Sequence, residues 1–219
     1  DPTLPGWMQI TALDKAKDAR SQGNTDRPLQ QHAIRTDSSG WSAPKYNEST
    51  QHHIHPDVVE KNRGVSIHPD AREIEKYKIL RTRIHHQARD RKISTIMVTS
   101  PNRNEGKTVT TINMGFTFAR DLKQTVLMVD CDFKGQDIHT YLGLQSQKSL
   151  IDYFLDGTPI NELMIWPGID KLTLISGDRT VVDSAELLSS DQMEDLVTEM
   201  GQRYDDRYVF FDAPPVLER

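Results

Sequence analysis

The sequence has little of what a secreted, membrane-spanning or nucleic-acid-binding protein needs. A single cysteine among 219 residues excludes an internal disulfide framework and favours a reducing compartment. No apolar run approaches the roughly 18–20 residues that span a bilayer, and the start, Asp1 to Pro5, lacks the basic and apolar regions of a signal peptide. The formal net charge of −5 argues against a general nucleic-acid binder. These absences predict a cytoplasmic protein with no nucleic-acid partner.

Apolar residues are scarce as well, above all in the first part of the chain. The hydrophobic content is 36% and the mean hydropathy is −0.63, and residues 21–51 are dominated by Asn, Gln, Ser, Thr, His and Asp. A segment of this composition buries too little apolar surface to offset the entropy lost on ordering. We therefore predict a flexible N-terminal linker over residues 1–65, with one short helix at residues 8–20, and a folded domain over residues 66–219.

In the second part of the chain, two kinds of apolar pattern alternate. Apolar residues at steps of three and four predict helices at residues 70–91, 109–119, 149–155 and from 190 or 191 onward. Short apolar runs predict strands at residues 93–99, 125–129, 172–175 and 208–211. This alternation predicts an α/β fold with a mainly parallel, doubly wound sheet covered by helices on both faces, and the Gly-Lys-Thr sequence at residues 106–108 indicates the P-loop NTPase kind.

Residues 100–108, SPNRNEGKT, lie between a predicted strand and a predicted helix, where a phosphate-binding loop belongs. Backbone amides at the start of such a helix point at phosphate oxygens, aided by the helix dipole. Gly106 lets the backbone approach closely, Lys107 reaches the outer phosphates, and Thr108 supplies a hydroxyl group to magnesium. The loop thus predicts ATP and Mg²⁺ as cofactors, although Pro101 stands where the Walker pattern has its first glycine. The predicted nucleotide-binding residues are Asn104, Glu105, Gly106, Lys107, Thr108 and Val109.

Acidic residues follow two of the predicted strands. Asp130 and Asp132 come at the end of the second strand, and Asp212 comes at the end of the last strand. In a parallel sheet the carboxyl ends of the strands share one edge, where ligands bind. We therefore expect the three carboxylates to converge beside the phosphate loop, where they serve magnesium binding and proton transfer.

Three charged residues, Glu75, Lys78 and Arg81, follow one another at steps of three along the first long helix. This spacing places all three on one side of the helix. The spacing alone favours pairing within the helix, which stabilises by a few tenths of a kcal/mol, over a contact with another subunit.

Taken together, these motifs resemble the bacterial tyrosine kinases (BY-kinases) of exopolysaccharide and capsule synthesis. The resemblance runs from about residue 66 to the end of the chain. It covers EKYKILRT at 75–82, which is similar to the family's E-x-x-R-x-x-R-T helix, the phosphate loop, the Asp130/Asp132 motif, SAELLSS at 184–190 and DAPP at 212–215. Residues 8–20 are also similar to the start of an exosortase-associated subgroup of these autokinases.

The resemblance implies an ATP-dependent protein-tyrosine autokinase that regulates exopolysaccharide synthesis and export. On the family's pattern, Lys107 binds phosphate and supports catalysis, and Asp130 is the base for the tyrosine hydroxyl group. Thr108, Asp132 and Asp212 hold the magnesium ion, the two carboxylates acting through water. The helix that carries Glu75, Lys78 and Arg81 mediates self-association into a ring.

The resemblance also implies partners and a location. The partners are further copies of the chain, a membrane adaptor of the chain-length-determinant type and a cognate phosphatase. Because of the adaptor, the protein is expected at the inner face of the membrane. The family continues past the Asp-Ala-Pro-Pro motif with more strands, adenine contacts and a tyrosine-rich tail. We therefore expect this chain to be truncated at its C-terminus.

Several positions depart from the family's pattern, and they keep two alternatives open. Arg103-Asn104 replaces Pro-Gly, although Asn adopts left-handed geometry more readily than most residues, and Lys78 and Lys134 replace arginines, which changes the bonding geometry. One alternative is a MinD- or ParA-like ATPase switch, whose signature lysine would stand where this chain has Asn102. The other is a catalytically weak nucleotide-binding scaffold.

Overall fold

The computed structural model describes residues 50–68, 72–91, 93–120, 124–202 and 206–217, without the side chains of residues 89–91. The strands are β1 (Thr50–Gln51), β2 (Thr95–Val98), β3 (Thr125–Asp130), β4 (Ile165–Trp166), β5 (Leu172–Ile175) and β6 (Arg207–Asp212). The helices are α1 (Pro56–Lys61), α2 (Ile74–Arg91), α3 (Lys107–Ala119), α4 (Ile138–Tyr141), α5 (Leu150–Asp156), α6 (Ile160–Leu163), α7 (Ser184–Leu188) and α8 (Asp191–Gln202). A 3₁₀ turn spans Val65–Ile67. No helix in these ranges is long and apolar enough to cross a membrane.

The strands form one sheet in the order β1-β4-β5-β3-β6-β2. Neighbouring strands run parallel except for β4 and β5, which pair antiparallel at Ile165 and Leu174. The prediction of a mainly parallel sheet is therefore confirmed. Because β2, β3, β5 and β6 are parallel, their carboxyl ends lie at one edge of the sheet, and the loops that follow them meet there.

The sheet is covered on both faces, since alternate residues of each strand enter different apolar clusters. Val126 and Met128 of β3 belong to a cluster that includes apolar residues of α3, and Leu127 and Val129 belong to a cluster that includes residues of α5 and α8. In the first cluster the ring of Phe118 packs edge-to-face with two rings of β6, at centroid distances of 4.9 and 5.0 Å. The doubly wound arrangement that the sequence predicts is thus confirmed.

Helix α5 shows how local sequence sets an element boundary. The Ser149 side chain accepts a hydrogen bond from the Ile151 backbone N–H at 3.3 Å, and the Asp152 carboxylate accepts one from the Ser149 N–H at 2.6 Å. This reciprocal pattern satisfies two backbone donors that the first turn would leave without partners. The helix ends at Gly157, whose φ is 67°. The helix predicted at residues 149–155 is confirmed, with Ser149 as its N-terminal cap.

Residues 50–65 correct the predicted extent of the linker. β1 pairs with β4, and Ile54 and Val59 are buried in the cluster that includes α3. The backbone N–H of Ser66 donates to the Asn113 side chain of α3 at 2.7 Å. Distant parts of the chain therefore supply the buried surface that this polar segment cannot supply for itself. Residues 1–49, including the predicted helix at 8–20, lie outside the described residues.

Helix α2 begins at Ile74, later than predicted. Ile74 and Ala88 are buried, and Tyr77 and Ile84 pack against the first apolar cluster, whereas Leu80, at the same helical spacing, is 39% exposed. Arg81 lies toward α3 instead and donates from its guanidinium group to the Thr117 carbonyl oxygen at 2.8 Å. The last carbonyl groups of a helix have no backbone donor within that helix, so Arg81 satisfies one of them at the end of α3.

Candidate nucleotide-binding site at the carboxyl edge of the sheet

The loop between β2 and α3 has the backbone shape that its sequence predicts. Asn104 and Gly106 both adopt left-handed conformations, with φ values of 61° and 91°. The tolerance of asparagine for this region thus explains how the loop forms without the family's Pro-Gly pair. Helix α3 begins at Lys107, so the first amide groups of α3 lack intrahelical acceptors. Such amides are the donors that bind phosphate oxygens.

A carboxylate braces this loop from within. Glu105 accepts hydrogen bonds from both the backbone N–H and the side-chain amide of Asn102, each at 3.0 Å. The Ser100 hydroxyl group donates to the Asn102 carbonyl oxygen at 2.7 Å. The bond from the Asn102 side chain is the main reason that the pKa of Glu105 lies below its ordinary value. We predicted Glu105 only as a nucleotide-binding residue and not as a brace of the loop. The spacing of three residues between Asn102 and Glu105 is the signal that could have indicated this contact.

Lys107 and Asp132 face each other across the site. The Lys107 Nζ atom lies 3.8 Å from the Asp132 Oδ2 atom, and their side chains are only 7% and 14% exposed. A lysine that is buried this far requires a nearby negative charge. The predicted convergence of these residues is present, and the ammonium group lies beside the loop that would carry a phosphate.

Asp212 occupies the end of β6 and binds two hydroxyl groups of α3. The Thr108 Oγ1 atom donates to the Asp212 Oδ2 atom at 2.6 Å, and the Thr111 Oγ1 atom donates to the Oδ1 atom at 3.2 Å. Burial raises the pKa of Asp212 to about 6, although both hydroxyl groups and Lys107 act in the opposite direction. A nearby cation would favour the ionised carboxylate. Thr111 was not predicted, although it stands one helical turn after Thr108.

Asp130 pairs in register with Asp212 across β3 and β6, so the expected convergence at one sheet edge holds for it as well. Its environment is different. The carboxylate is fully buried, and its Oδ2 atom accepts from the backbone N–H groups of Asp137 and Ile138, both at 3.0 Å, and from the Ser176 hydroxyl group at 2.9 Å. Burial, followed by the charge of Asp212, raises the pKa of Asp130 well above its ordinary value.

The part expected for Asp130, as the base for the tyrosine hydroxyl group, stays a prediction, because a general base reaches its hydrogen-bonding geometry with the proton that it removes only when the substrate is bound. The Asp130 carboxylate is enclosed by its own chain, and its second oxygen also accepts from the Asp132 backbone N–H, at 3.3 Å. The partly exposed carboxylate beside Lys107 is that of Asp132.

The three charged residues of α2 do not join this site through their observed contacts. Lys78 forms an ion pair with Glu75 at 2.6 Å within the helix, and Arg81 binds α3 of the same chain. The pairing of Glu75 with Lys78 is the one that the spacing favoured. Their part in self-association stays a prediction.

Comparison with known proteins assigns this arrangement to a family. Residues 93–219 match the AAA domain family. Tyrosine-protein kinase YwqD of Bacillus subtilis is 30% identical over 168 residues, which cover 73% of this chain and 70% of YwqD. Tyrosine-protein kinase ptk of Acinetobacter johnsonii is 26% identical over 164 residues, which cover 73% of this chain but only 22% of ptk.

Among solved structures, the BceF tyrosine kinase domain superposes with a TM-score of 0.63 at 24% identity, covering 80% of this chain and 73% of that domain. This likeness supports the fold. The phosphate loop and the aspartates around it are consistent with the sequence matches. The chain belongs to the AAA domain family and, within it, to the bacterial tyrosine-protein kinases.

Proposed function

We propose that this chain binds Mg-ATP at the carboxyl edge of its sheet and transfers the γ-phosphoryl group to tyrosine, as part of an autokinase. The observation that carries the proposal is the meeting of Lys107, Thr108, Asp132 and Asp212 beside a phosphate loop. Phosphoryl transfer depends mainly on positioning and on stabilising negative charge. A lysine, helix amides and a divalent cation provide both.

The donor set fits magnesium. Mg²⁺ prefers oxygen ligands, keeps several waters, and is usually held by one or two carboxylates together with substrate phosphates. The Thr108 hydroxyl group and the carboxylates of Asp132 and Asp212 are donors of this kind. Within the described residues no group of three or more His, Cys, Asp or Glu side chains is arranged to hold a metal ion. When bound, such an ion neutralises charge on the phosphate oxygens.

Each residue of the site has a distinct part in the proposed reaction. Lys107 exchanges its partner Asp132 for the outer phosphates of the nucleotide. The backbone from Asn104 to Val109 surrounds the phosphates, and Glu105 keeps the loop in shape through Asn102. Asp132 and Asp212 would hold the cation through water molecules.

Partners and cellular context belong to the proposal as well. The chain spans about a fifth of the length of ptk and 70% of the length of YwqD. On the BY-kinase pattern we propose a homo-oligomer, with Glu75, Lys78 and Arg81 at subunit contacts. We further propose a membrane adaptor of the chain-length-determinant type, a phosphatase that reverses the modification, and regulation of exopolysaccharide export at the inner face of the membrane.

The kinase is favoured over a MinD- or ParA-like switch. Two relatives that match 73% of this chain carry the name tyrosine-protein kinase. Asn102, which stands at the place of the switch family's signature lysine, is bound instead by Glu105 of its own loop.

Nucleotide binding is tested by calorimetry with Mg-ATP and the variant Lys107→Met. We expect binding by the parent and at least about a tenfold weaker affinity in the variant, since the phosphates lose their main cation. Lys148→Met is the matched control, because Lys148 is half-exposed and pairs with Glu162. Equal affinities of the parent and Lys107→Met would refute a phosphate site at this loop.

A further inference from the structure

A buried hydrogen-bond chain runs from Asp130 through Ser176 to His139. The Ser176 hydroxyl group donates to the Asp130 Oδ2 atom at 2.9 Å, and the His139 Nδ1 atom lies 2.9 Å from the Ser176 Oγ atom. All three residues are buried. They come from three different segments: the end of β3, the residue after β5, and helix α4.

The single proton of the Ser176 hydroxyl group sets which atoms donate and which accept in this hydrogen-bond chain. A serine hydroxyl group has one proton, and here that proton is directed to Asp130, so the Ser176 oxygen acts as the acceptor toward His139. It accepts from the His139 backbone N–H at 3.2 Å and, at 2.9 Å, from Nδ1. The His139 Nε2 atom is then free to accept from the Thr140 hydroxyl group at 3.3 Å. Nδ1 therefore carries a proton, and burial lowers the pKa of His139, which favours the neutral ring, although Asp178 and Asp137 oppose that shift.

These hydrogen bonds hold the loop that connects β3 to α4. The Asp130 Oδ2 atom also accepts from the backbone N–H groups of Asp137 and Ile138, and its Oδ1 atom accepts from that of Asp132. One carboxylate thereby joins both ends of the loop that connects β3 to α4. Asp132 lies in that loop, with its carboxylate 3.8 Å from the Lys107 Nζ atom.

We propose that Ser176 and His139 are positioning residues for phosphoryl transfer, which hold Asp130 and, through its loop, set the place of Asp132 beside Lys107 and the cation. The inference rests on the proposed function. Groups that orient the ligands of a metal ion change metal affinity or activity by about 10- to 100-fold when they are removed. The bonds described connect both residues to the loop of Asp132 through Asp130.

The variants Ser176→Ala and His139→Gln test this inference without changing Lys107, Thr108, Asp132 or Asp212. His139→Asn is the conservative variant, because its side-chain amide can donate from near the position of Nδ1, whereas the longer glutamine places its amide near Nε2. Thr173→Val is the matched control: it removes a buried hydroxyl group from β5 whose bond, at 3.4 Å, goes to the Val126 carbonyl oxygen.

Two readouts are measured on each folded variant. Amide hydrogen exchange at Asp137 and Ile138, without nucleotide, reports whether Asp130 still holds its loop. Calorimetric titration of ADP at a series of Mg²⁺ concentrations reports whether the cation is still held. We expect Ser176→Ala and His139→Gln to speed exchange at both amides by about tenfold or more and to raise the Mg²⁺ concentration for half-maximal ADP affinity by about tenfold. His139→Asn and Thr173→Val should stay near the parent.

The outcomes separate this inference from the proposed function. Unchanged exchange and unchanged Mg²⁺ dependence in Ser176→Ala would overturn the inference while leaving nucleotide binding intact. Equal behaviour of His139→Asn and His139→Gln would overturn the part assigned to His139. A parent without Mg²⁺-dependent ADP binding would refute the proposed function and the inference together. If Ser176→Ala lowers the stability of the whole chain, the two His139 variants decide, because both keep a polar side chain at that place.

Discussion

The ends of β3 and β6 carry two aspartates that the sequence presents alike and the structure treats differently. Asp130 and Asp212 are in register on neighbouring strands, and both are buried. Asp212 accepts from two hydroxyl groups of the phosphate-loop helix, which can rotate. Asp130 accepts mainly from backbone amides, which cannot rotate. The position of an aspartate in a fold thus does not set its function; its donors do, and here they leave Asp212 able to turn toward a cation and fix Asp130 in place.

The largest expected effect concerns Asp212 and the cation. Asp212→Asn should weaken the Mg²⁺-dependent part of ADP affinity by about 10- to 100-fold, the range for groups that orient metal-bound water. Calorimetry with and without Mg²⁺ separates this part from binding of the nucleotide alone. Asp178→Asn is the control, since Asp178 is exposed in the loop after β5. An Asp212→Asn variant with the parental Mg²⁺ dependence would show that the two aspartates do not differ in this way.

The second effect is on stability and should be larger for Asp130. In Asp130→Asn the new amide group must face a backbone N–H that cannot turn away, which leaves a buried donor without an acceptor at a cost of about 1–3 kcal/mol. In Asp212→Asn the hydroxyl groups of Thr108 and Thr111 can rotate to suit the amide, so the loss should be smaller. Urea denaturation at neutral pH without divalent cations measures both free energies of unfolding. A larger loss in Asp212→Asn would reverse the comparison.

Stability should also depend on pH through Asp212. Its pKa is about 6 in the folded chain against an ordinary value of 3.8, so the folded state binds the proton more tightly than the unfolded state does. The stabilisation from this proton is complete below about pH 4 and is lost as the pH rises to about 6. Without divalent cations, the free energy of unfolding of the parent should therefore fall relative to that of Asp212→Asn across this window. Parallel curves for the two proteins would contradict the raised pKa.

The smallest expected effect lies in the phosphate loop. Asn104 has a φ of 61°, a region that costs most side chains roughly 1–2 kcal/mol. Asn104→Ala should lower the free energy of unfolding by about 1 kcal/mol, whereas Asn104→Gly should leave it near the parental value. Thermal or urea denaturation of both variants measures the difference. Equal losses would mean that the side chain of Asn104, rather than its backbone geometry, supports the loop.

The features that the sequence predicted correctly depend on local periodicity and on the topology of parallel sheets. The apolar runs located β3 and β5, Ser149 located the start of α5, and the carboxyl edge brought Lys107 to Asp132. These inferences need only neighbouring residues or the direction of the strands.

The features that the sequence analysis missed depend on contacts between distant segments. β1 and β4 span two residues each, too few for a periodic pattern. On α2, Leu80 is exposed although it has the spacing of the buried residues, while the guanidinium group of Arg81 donates to a carbonyl group of α3. The partner of Asp130 is Ser176, 46 residues away, and no spacing rule joins the two positions.

The central claim, phosphoryl transfer to tyrosine, is tested most directly by incubating the full-length protein with Mg-ATP. Phosphotyrosine and released phosphate are measured together for the parent, Lys107→Met and the control Lys148→Met. We predict that phosphotyrosine forms in the parent and in Lys148→Met and is absent from Lys107→Met. Release of phosphate by the parent without any phosphotyrosine would contradict the kinase assignment and indicate an ATPase switch instead.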